Sequence, residues 1–169
     1  MSNKSYHQAI GLFKSKLMYY WKPFNRRRLS KFYGTFINEG DLCFDLGAHI
    51  GNRTDAWLNI GAKIIAVEPQ PSCLEYLHQR FGDSPNVVIL NKAVGAETGT
   101  LPLKISNQHP TVTTLANQSW QKKVNAINQR IVWDEEINVV VVTLDQLIEE
   151  HGLPPVSYTH LTLPTKRIV

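Results

Sequence analysis

Cysteine is scarce in this 169-residue chain, which has only Cys43 and Cys73. They form no C-x-x-C pair, which argues against a zinc site or a redox dithiol, and we expect no metal. Cys43 lies in an apolar run and Cys73 in a helical pattern, so burial of each thiol as a small apolar group is favoured over a disulfide. Free buried thiols suit a reducing compartment, and we therefore expect a cytoplasmic protein.

Long apolar runs are absent as well, and none approaches the length of a membrane-spanning helix. No uninterrupted apolar segment follows the first lysine, so we expect no secretory signal peptide. The hydrophobic content of 43% is nevertheless ordinary for a globular protein. The chain is long enough for one domain with a real core.

Acidic residues are missing from the first part of the chain. Residues 1–38 contain eight Lys or Arg and no Asp or Glu, whereas the remainder carries a net charge of −4. Helical spacing over 5–21 and the run Arg26-Arg27-Arg28 predict a basic helical arm. We favour an arm packed on the body or capping a cofactor cleft, because charge runs usually face solvent. Contact with anionic lipid or nucleic acid is the alternative.

The chain is organised around one stretch, Asp41 to Asn52. A short apolar run, Leu42 to Leu46, lies between turn residues and predicts a buried parallel strand. Gly47 and Gly51 follow, and a helical pattern comes next. Strand, glycine turn and helix, in that order, are how an open α/β sheet holds a nucleoside-bearing cofactor.

The glycine spacing selects among cofactors by what it lacks. A dinucleotide fingerprint needs G-x-G-x-x-G, but His49 occupies the second glycine position, and the Lys and Ser/Thr of a Walker loop are missing. NAD and nucleoside triphosphates are therefore disfavoured. The remaining candidate is S-adenosylmethionine, whose methionine end carries a carboxylate and an amine.

Two acids accompany the glycines. Asp45 lies near the end of the first strand, where it can hold the glycine loop or an ammonium group. Glu68 ends the next apolar run, 63–67, and a carboxylate there can accept hydrogen bonds from both ribose hydroxyls. A sheet whose glycines only turn the chain is the alternative to this cofactor site.

His49 is the weak candidate for a catalytic residue, because an imidazole beside the methyl group can act as a general base. We favour the simpler interpretation, in which His49 is a loop residue that contributes mainly backbone to the cofactor.

These residues also carry a family resemblance. The run Gly40 to Pro71, with Asp-Leu-Gly-Ala-His-Ile-Gly and Val-Glu-Pro-Gln-Pro, resembles FkbM-type class I methyltransferases. The likeness extends from about residue 19 to Pro155 and includes Ala93-Val94-Gly95, Thr111 to Leu115 and Val142 to Asp145. It implies an α/β, Rossmann-like methyltransferase sheet with at least three parallel strands and an N-terminal helical arm.

The resemblance also implies a set of cofactor-binding residues. Asp45, Gly47, Ala48 and Gly51 would hold the methionine end, with His49 in the same loop, and Glu68 would hold the ribose. Asn91 and Ala93 would border the adenine, because residues after the third strand commonly do so in this class. A simple turn asparagine is the equal alternative for Asn91.

The last residues, 156–169, resemble the conceptual translation of a sequencing-library adapter. We therefore divide the chain into a basic helical arm at 1–38, a partial methyltransferase domain at 39–155 and a non-native tail at 156–169. Relatives continue after this point into a further strand beside the cofactor, so we expect an incomplete sheet and a fragment that holds mainly the cofactor-binding half.

The resemblance implies transfer of a methyl group from S-adenosylmethionine to a hydroxyl of a small molecule or glycan. We expect no nucleic-acid partner and no membrane span, with peripheral contact through the basic arm left open. Two alternatives belong to other classes: a non-catalytic S-adenosylmethionine-binding fragment, and a module whose basic arm binds lipid or nucleic acid.

Overall fold

A computed structural model describes residues 25–107 and 131–154, with short pieces at 10–11, 13, 111, 113–115 and 122. Six strands and four helices lie in the two long ranges. In chain order they are α1 Asn25–Tyr33, β1 Leu42–Leu46, α2 Asn52–Leu58, β2 Lys63–Val67, α3 Pro71–Phe81, β3 Val87–Leu90, β4 Ala93–Val94, β5 Gly99–Ile105, β6 Glu135–Val142 and α4 Leu144–His151.

Strands β1, β2 and β3 form a parallel sheet in that order. Leu46 pairs with Val67, and Val67 pairs with Leu90, so the carboxyl ends of the three strands meet at one edge. Helices α2 and α3 make the crossovers that parallel neighbours require. The α/β, Rossmann-like fold expected from the sequence is therefore confirmed.

Both faces of this sheet are covered. On one face, Cys43, Ile64 and Ala66 pack with Trp57 of α2 and with apolar residues of α3. On the other face, a second cluster joins strand residues to α4 and the end of β6; its buried members are Phe44, Ile65, Val67, Val142 and Leu147. Burial on both faces explains why these strands read as continuous apolar runs.

The second sheet has the order β4-β6-β5, with β4 parallel and β5 antiparallel to β6. β5 lies at the edge of this order, and it contains Pro102, a residue type that sheets tolerate mainly on edge strands because it has no N–H to donate. Val139 and Val141 are buried, whereas Val140 is exposed between them. Over these three residues only one face of β6 is buried, whereas Val142, on the same face as Val140, is buried in the cluster with Leu147 of α4.

Several predicted boundaries are wrong. The spacing of Ser72 and Glu75 predicts a capping box, which does not form: α3 begins at Pro71, with Gln70 as the N-cap residue and no side-chain cap. Proline is favoured at the first helical position because it has no N–H to leave unpaired, and this preference displaces the serine. α2 begins at Asn52 rather than Thr54, and β6 begins at Glu135 rather than Ile137.

Helix α1 packs against α2. The Ser30 hydroxyl donates to the Ala56 carbonyl at 2.9 Å, and the Tyr33 ring meets Trp57 edge-on at 5.4 Å. Arg26 forms an ion pair of 3.5 Å with Asp55. The part of the basic arm that the structure describes is therefore attached to the body.

Three predictions fall wholly or almost wholly outside the described residues: the helix over 5–21, a helix that the sequence pattern predicts over 121–130, and the tail at 156–169. The division into arm, domain and tail thus stays a prediction. Within the described ranges, no helix is long and apolar enough to span a bilayer.

Candidate functional site

The turn after β1 is built from alternating left-handed residues. Gly47, His49 and Gly51 have φ values of 70°, 53° and 74°. The N–H groups of Gly47 and Ala48 both donate to the Val67 carbonyl, at 2.9 and 3.0 Å. The turn is therefore fastened to the end of β2, at the sheet edge where open α/β folds bind ligands.

The two glycines serve different purposes. A Cβ on Gly47 would meet nothing within 4 Å, so this residue presents an open backbone face. A Cβ on Gly51 would lie 2.5 Å from Phe81 Cε2 and 2.8 Å from Leu77 Cδ2. Gly51 thus allows α2 to approach α3, whereas Gly47 leaves space beside the loop for a ligand.

Asp45 is buried, and its carboxylate holds the start of α2. Oδ1 accepts a hydrogen bond from Nε of Arg53 at 2.9 Å and also lies 2.9 Å from Arg53 Nη2 in an ion pair. Oδ2 accepts from the Thr54 N–H at 3.1 Å and from the Thr54 hydroxyl at 2.7 Å. Of the two roles foreseen for Asp45, the structure displays loop holding; contact with a ligand ammonium stays a prediction.

Glu68 is only 6% exposed and braces the same loop from β2. Oε2 accepts from the His49 N–H at 2.8 Å, and Oε1 accepts from the Gln70 N–H at 2.9 Å. Burial raises the pKa of Glu68 to about 7, against the lowering by these two N–H groups. A carboxylate offers about four acceptor sites, so capacity remains for further donors.

His49 donates its backbone N–H to Glu68, and a backbone contact with the cofactor stays a prediction. Burial, with a further contribution from the Arg53 cation, lowers the pKa of the imidazole to about 4. A base with that pKa is poorly matched to proton abstraction at neutral pH. Catalysis by His49 stays a prediction that this geometry does little to favour.

The predicted adenine-side residues lie beside Glu68. The Glu68 N–H donates to the Leu90 carbonyl at 3.0 Å, so Asn91 leaves the sheet next to the carboxylate. Asn91 is exposed, and Ala93 is buried at the start of β4. The strand ends therefore gather the predicted residues: Asp45, Gly47, Ala48, His49, Gly51, Glu68, Asn91 and Ala93.

Both thiols are free and buried, as expected. Burial raises the pKa of Cys43 to about 11 and that of Cys73 further still, so neither is a nucleophile at neutral pH. Among the described residues, no cluster of three or more His, Cys, Asp or Glu could hold a metal ion.

Arg53 and Gln70 belong to this region but were missed in the sequence. Arg53 also donates through Nη2 to the carbonyls of Leu46 and Gly47, both at 3.3 Å. Gln70 is 2% exposed, and its amide donates to the Ser72 hydroxyl at 3.2 Å. The available signal for Arg53 was Asp45 itself, because a buried carboxylate requires a partner.

A family model described as "Methyltransferase FkbM domain" matches residues 45–158, more than half of the chain. The chain belongs to the FkbM methyltransferase family. The match begins at Asp45, so the loop, Glu68 and the residues after β3 all lie within it. The resemblance to FkbM methyltransferases seen in the sequence is thus confirmed.

This FkbM-family chain is similar to two further proteins. A chloroplastic ribosomal RNA small subunit methyltransferase from Arabidopsis thaliana is 29% identical over 56 residues, which cover 33% of this chain and 16% of that protein. A crystal structure from Pyrococcus horikoshii, described as a candidate RNA methyltransferase, is 14% identical with a TM-score of 0.37; the match covers 83% of this chain and 93% of that one.

The expected partners require a correction. The sequence interpretation specified a small-molecule or glycan acceptor and no nucleic acid. The Arabidopsis relative is named as a ribosomal RNA methyltransferase, which contradicts that expectation. Resemblance to a family identified the reaction class here but not the acceptor, because fold and cofactor loop do not fix the second substrate.

Proposed function

We propose that this protein transfers a methyl group from S-adenosylmethionine to RNA. The observation that carries the cofactor assignment is the buried Glu68 carboxylate, held by the His49 and Gln70 N–H groups at the carboxyl edge of the sheet. The acceptor is supported by the named activity of the Arabidopsis relative, which matches 56 residues.

Glu68 is suited to a ribose because two N–H groups fix its orientation. Each oxygen accepts one N–H, at 2.8 and 2.9 Å, which leaves an acceptor site on each for a hydroxyl. The adjacent Gly47 has an open backbone face, so a ligand can approach without meeting a side chain there. The residues present therefore fit the cofactor.

The loop is also held in position by residues of β1 and α2. Asp45 links Arg53 and Thr54 through three hydrogen bonds and an ion-pair contact, and Arg53 donates to two carbonyls at the end of β1. A loop held in this way loses little conformational freedom when a ligand binds. The chemistry that bound S-adenosylmethionine supplies is a methyl group on a positively charged sulfur. The role of Asp45 and Glu68 is to position that group for in-line transfer.

Isothermal titration calorimetry with S-adenosylmethionine tests the cofactor assignment. Glu68→Gln keeps the size of the side chain but replaces one acceptor by a donor. We expect its affinity to fall about 10- to 100-fold, as for loss of hydrogen bonds to a charged group. Glu75→Gln, on the exposed side of α3, is the matched control and should bind like the wild type. Equal affinities for wild type and Glu68→Gln would sink the assignment.

Methyl transfer tests the acceptor. The full gene product is incubated with total RNA and with S-adenosylmethionine tritiated on the methyl group. We expect acid-precipitable label that ribonuclease removes. Label that resists ribonuclease, or that enters only the small-molecule fraction, would contradict RNA as the acceptor.

A further inference from the structure

The outward face of α1 combines cations with an exposed aromatic ring. Arg27, Arg28 and Lys31 are exposed, and the Phe32 side chain is 60% exposed. Residues four apart lie above one another on a helix, so Arg27 is stacked over Lys31 and Arg28 over Phe32. Phe36, 40% exposed, extends the ring surface and meets Phe32 edge-on at 5.5 Å. These five residues are called the basic-aromatic face.

This face is not needed to attach α1 to the body. Attachment uses the opposite side, where Ser30 and Tyr33 contact α2, and the helix start, where Arg26 pairs with Asp55. Within the described part of the chain, Arg27, Arg28 and Lys31 form no ion pair. Three unneutralised charges beside an exposed phenylalanine have no evident structural purpose.

We propose that the basic-aromatic face docks single-stranded RNA, with phosphates on Arg27, Arg28 and Lys31 and a base stacked on Phe32. The choice of RNA rests on the proposed function. The single-stranded form follows from the ring, because a base must be unstacked from its neighbours to lie on an aromatic side chain. A basic groove with aromatic platforms is the general chemistry of such binding.

A membrane surface would also attract three cations, but it fits this helix less well. An interfacial helix buries its apolar face in lipid. The apolar side of α1 is already used, since Leu29 and Tyr33 pack against the core that contains Trp57. Only the rings of Phe32 and Phe36 remain for lipid.

The position of α1 relates this face to the methyl-transfer site. Tyr33 of α1 meets Trp57 of α2 edge-on at 5.4 Å. α1 packs on α2, and Asp45 holds the first turn of α2. An RNA strand on the basic-aromatic face would therefore be held by the same rigid unit that carries the cofactor loop.

Fluorescence anisotropy with a labelled 12-residue oligouridylate tests the proposal on the full 169-residue chain, without cofactor. Phe32→Ala should weaken binding about 5- to 150-fold, the range for loss of one base–aromatic stack. The combined variant Arg27→Ala, Arg28→Ala, Lys31→Ala should make the slope of log K against log salt shallower by about 2, as for three phosphate contacts on a single strand.

Three controls make the test specific. Lys63→Ala removes one exposed charge at the start of β2, the opposite end of that strand from the loop, and should change neither affinity nor slope. Phe32→Leu keeps an apolar side chain but removes the ring. It should weaken RNA binding nearly as much as Phe32→Ala does. Vesicles containing phosphatidylserine should bind the wild-type chain weakly or not at all.

The outcomes separate this proposal from the proposed function. RNA binding unaffected by Phe32→Ala and by the triple variant would overturn the docking face, even if RNA is methylated. Strong vesicle binding that survives Phe32→Leu would overturn it in favour of lipid. Loss of oligouridylate binding in these variants supports the face, and it does so even if methyl transfer to RNA is never observed.

Discussion

The two halves of the molecule use strands differently. In the parallel half, α1 to β3, the strands are covered on both faces and the polar site lies at their carboxyl ends. In the mixed half, β4 to α4, the central strand β6 buries one face and exposes Val140 on the other. The difference shows where a precise site can be built: polar groups are fixed most firmly where burial makes an unpaired group costly.

Charged groups follow the same division. Asp45 and Glu68 in the parallel half are buried, and each oxygen of both accepts at least one hydrogen bond. In the mixed half, Lys104 and Glu136 pair across the strands at 3.7 Å, with side chains 27% and 56% exposed. The first arrangement defines a loop geometry, whereas the second lies largely in solvent.

The largest expected effect comes from breaking a charged pair in each half. Asp45→Ala leaves Arg53 and Thr54 without their acceptor and should cost about 3–5 kcal/mol of unfolding free energy, as for a broken buried pair. Glu136→Ala should cost under about 1 kcal/mol, as for surface pairs. Urea denaturation gives both values. Similar losses of unfolding free energy for the two variants would contradict the difference between the buried pair and the exposed pair.

A glycine comparison should give the next largest effect. Gly51→Ala forces a Cβ against Phe81 and Leu77 at a φ of 74°, so strain and overpacking should together cost about 2–4 kcal/mol. Gly99→Ala, at the start of β5, meets nothing within 4 Å and should change stability by less than about 0.5 kcal/mol. Thermal melts of both variants provide the measurement. A larger loss at Gly99 would be the contrary result.

Two adjacent valines test which face of β6 is buried in the mixed half. Val141 is 1% exposed and Val140 is 52% exposed, although they are neighbours on β6. Val141→Ala should cost about 2 kcal/mol through lost burial and the cavity left behind. Val140→Ala should stay within about 0.5 kcal/mol of the wild type. Equal costs would mean that a further element covers the outer face of β6.

Much of the parallel half could be predicted from the sequence. Strands β1 and β3 were predicted with their observed bounds, because short apolar runs between turn residues specify buried strands. Thr143, one of the two residues predicted to begin α4, caps it in a capping box with Gln146. The local sequence predicted an element correctly where only one structural preference acted on it.

The remainder depended on contacts between elements. The Asp45–Arg53 pair depends on the direction in which the first turn of α2 points the Arg53 side chain. A helix predicted to begin at Thr54 leaves Arg53 outside that turn, whereas the observed helix begins at Asn52. The role of Gly51 depends on Phe81, thirty positions away along the chain. Ser72 does not cap α3, because the helix already begins at Pro71, and proline is favoured at the first helical position. No local sequence feature indicated which molecule accepts the methyl group.

The smallest expected effect is the pH dependence of wild-type stability, and it concerns two groups of the parallel half. The pKa of Glu68 is raised from 4.5 to about 7, so the folded state binds this proton more tightly. Its favourable contribution is complete below pH 4.5 and is lost as pH rises to about 7. The pKa of His49 is lowered from 6.5 to about 4, so its contribution is complete above pH 6.5 and is lost as pH falls to about 4.

Between pH 4.5 and 6.5 the two contributions oppose each other, and the wild-type free energy of unfolding should change by less than about 1 kcal/mol from these groups. His49→Asn keeps a residue that tolerates positive φ and leaves Glu68 alone. Its stability should then fall as pH rises, by up to about 1.4 kcal/mol per pH unit. Glu68→Gln should show the opposite slope. Urea denaturation at pH 4.5, 5.5 and 6.5 measures the free energy of unfolding of all three proteins. If all three showed the same dependence on pH, titration of Glu68 and His49 would not be the cause of that dependence.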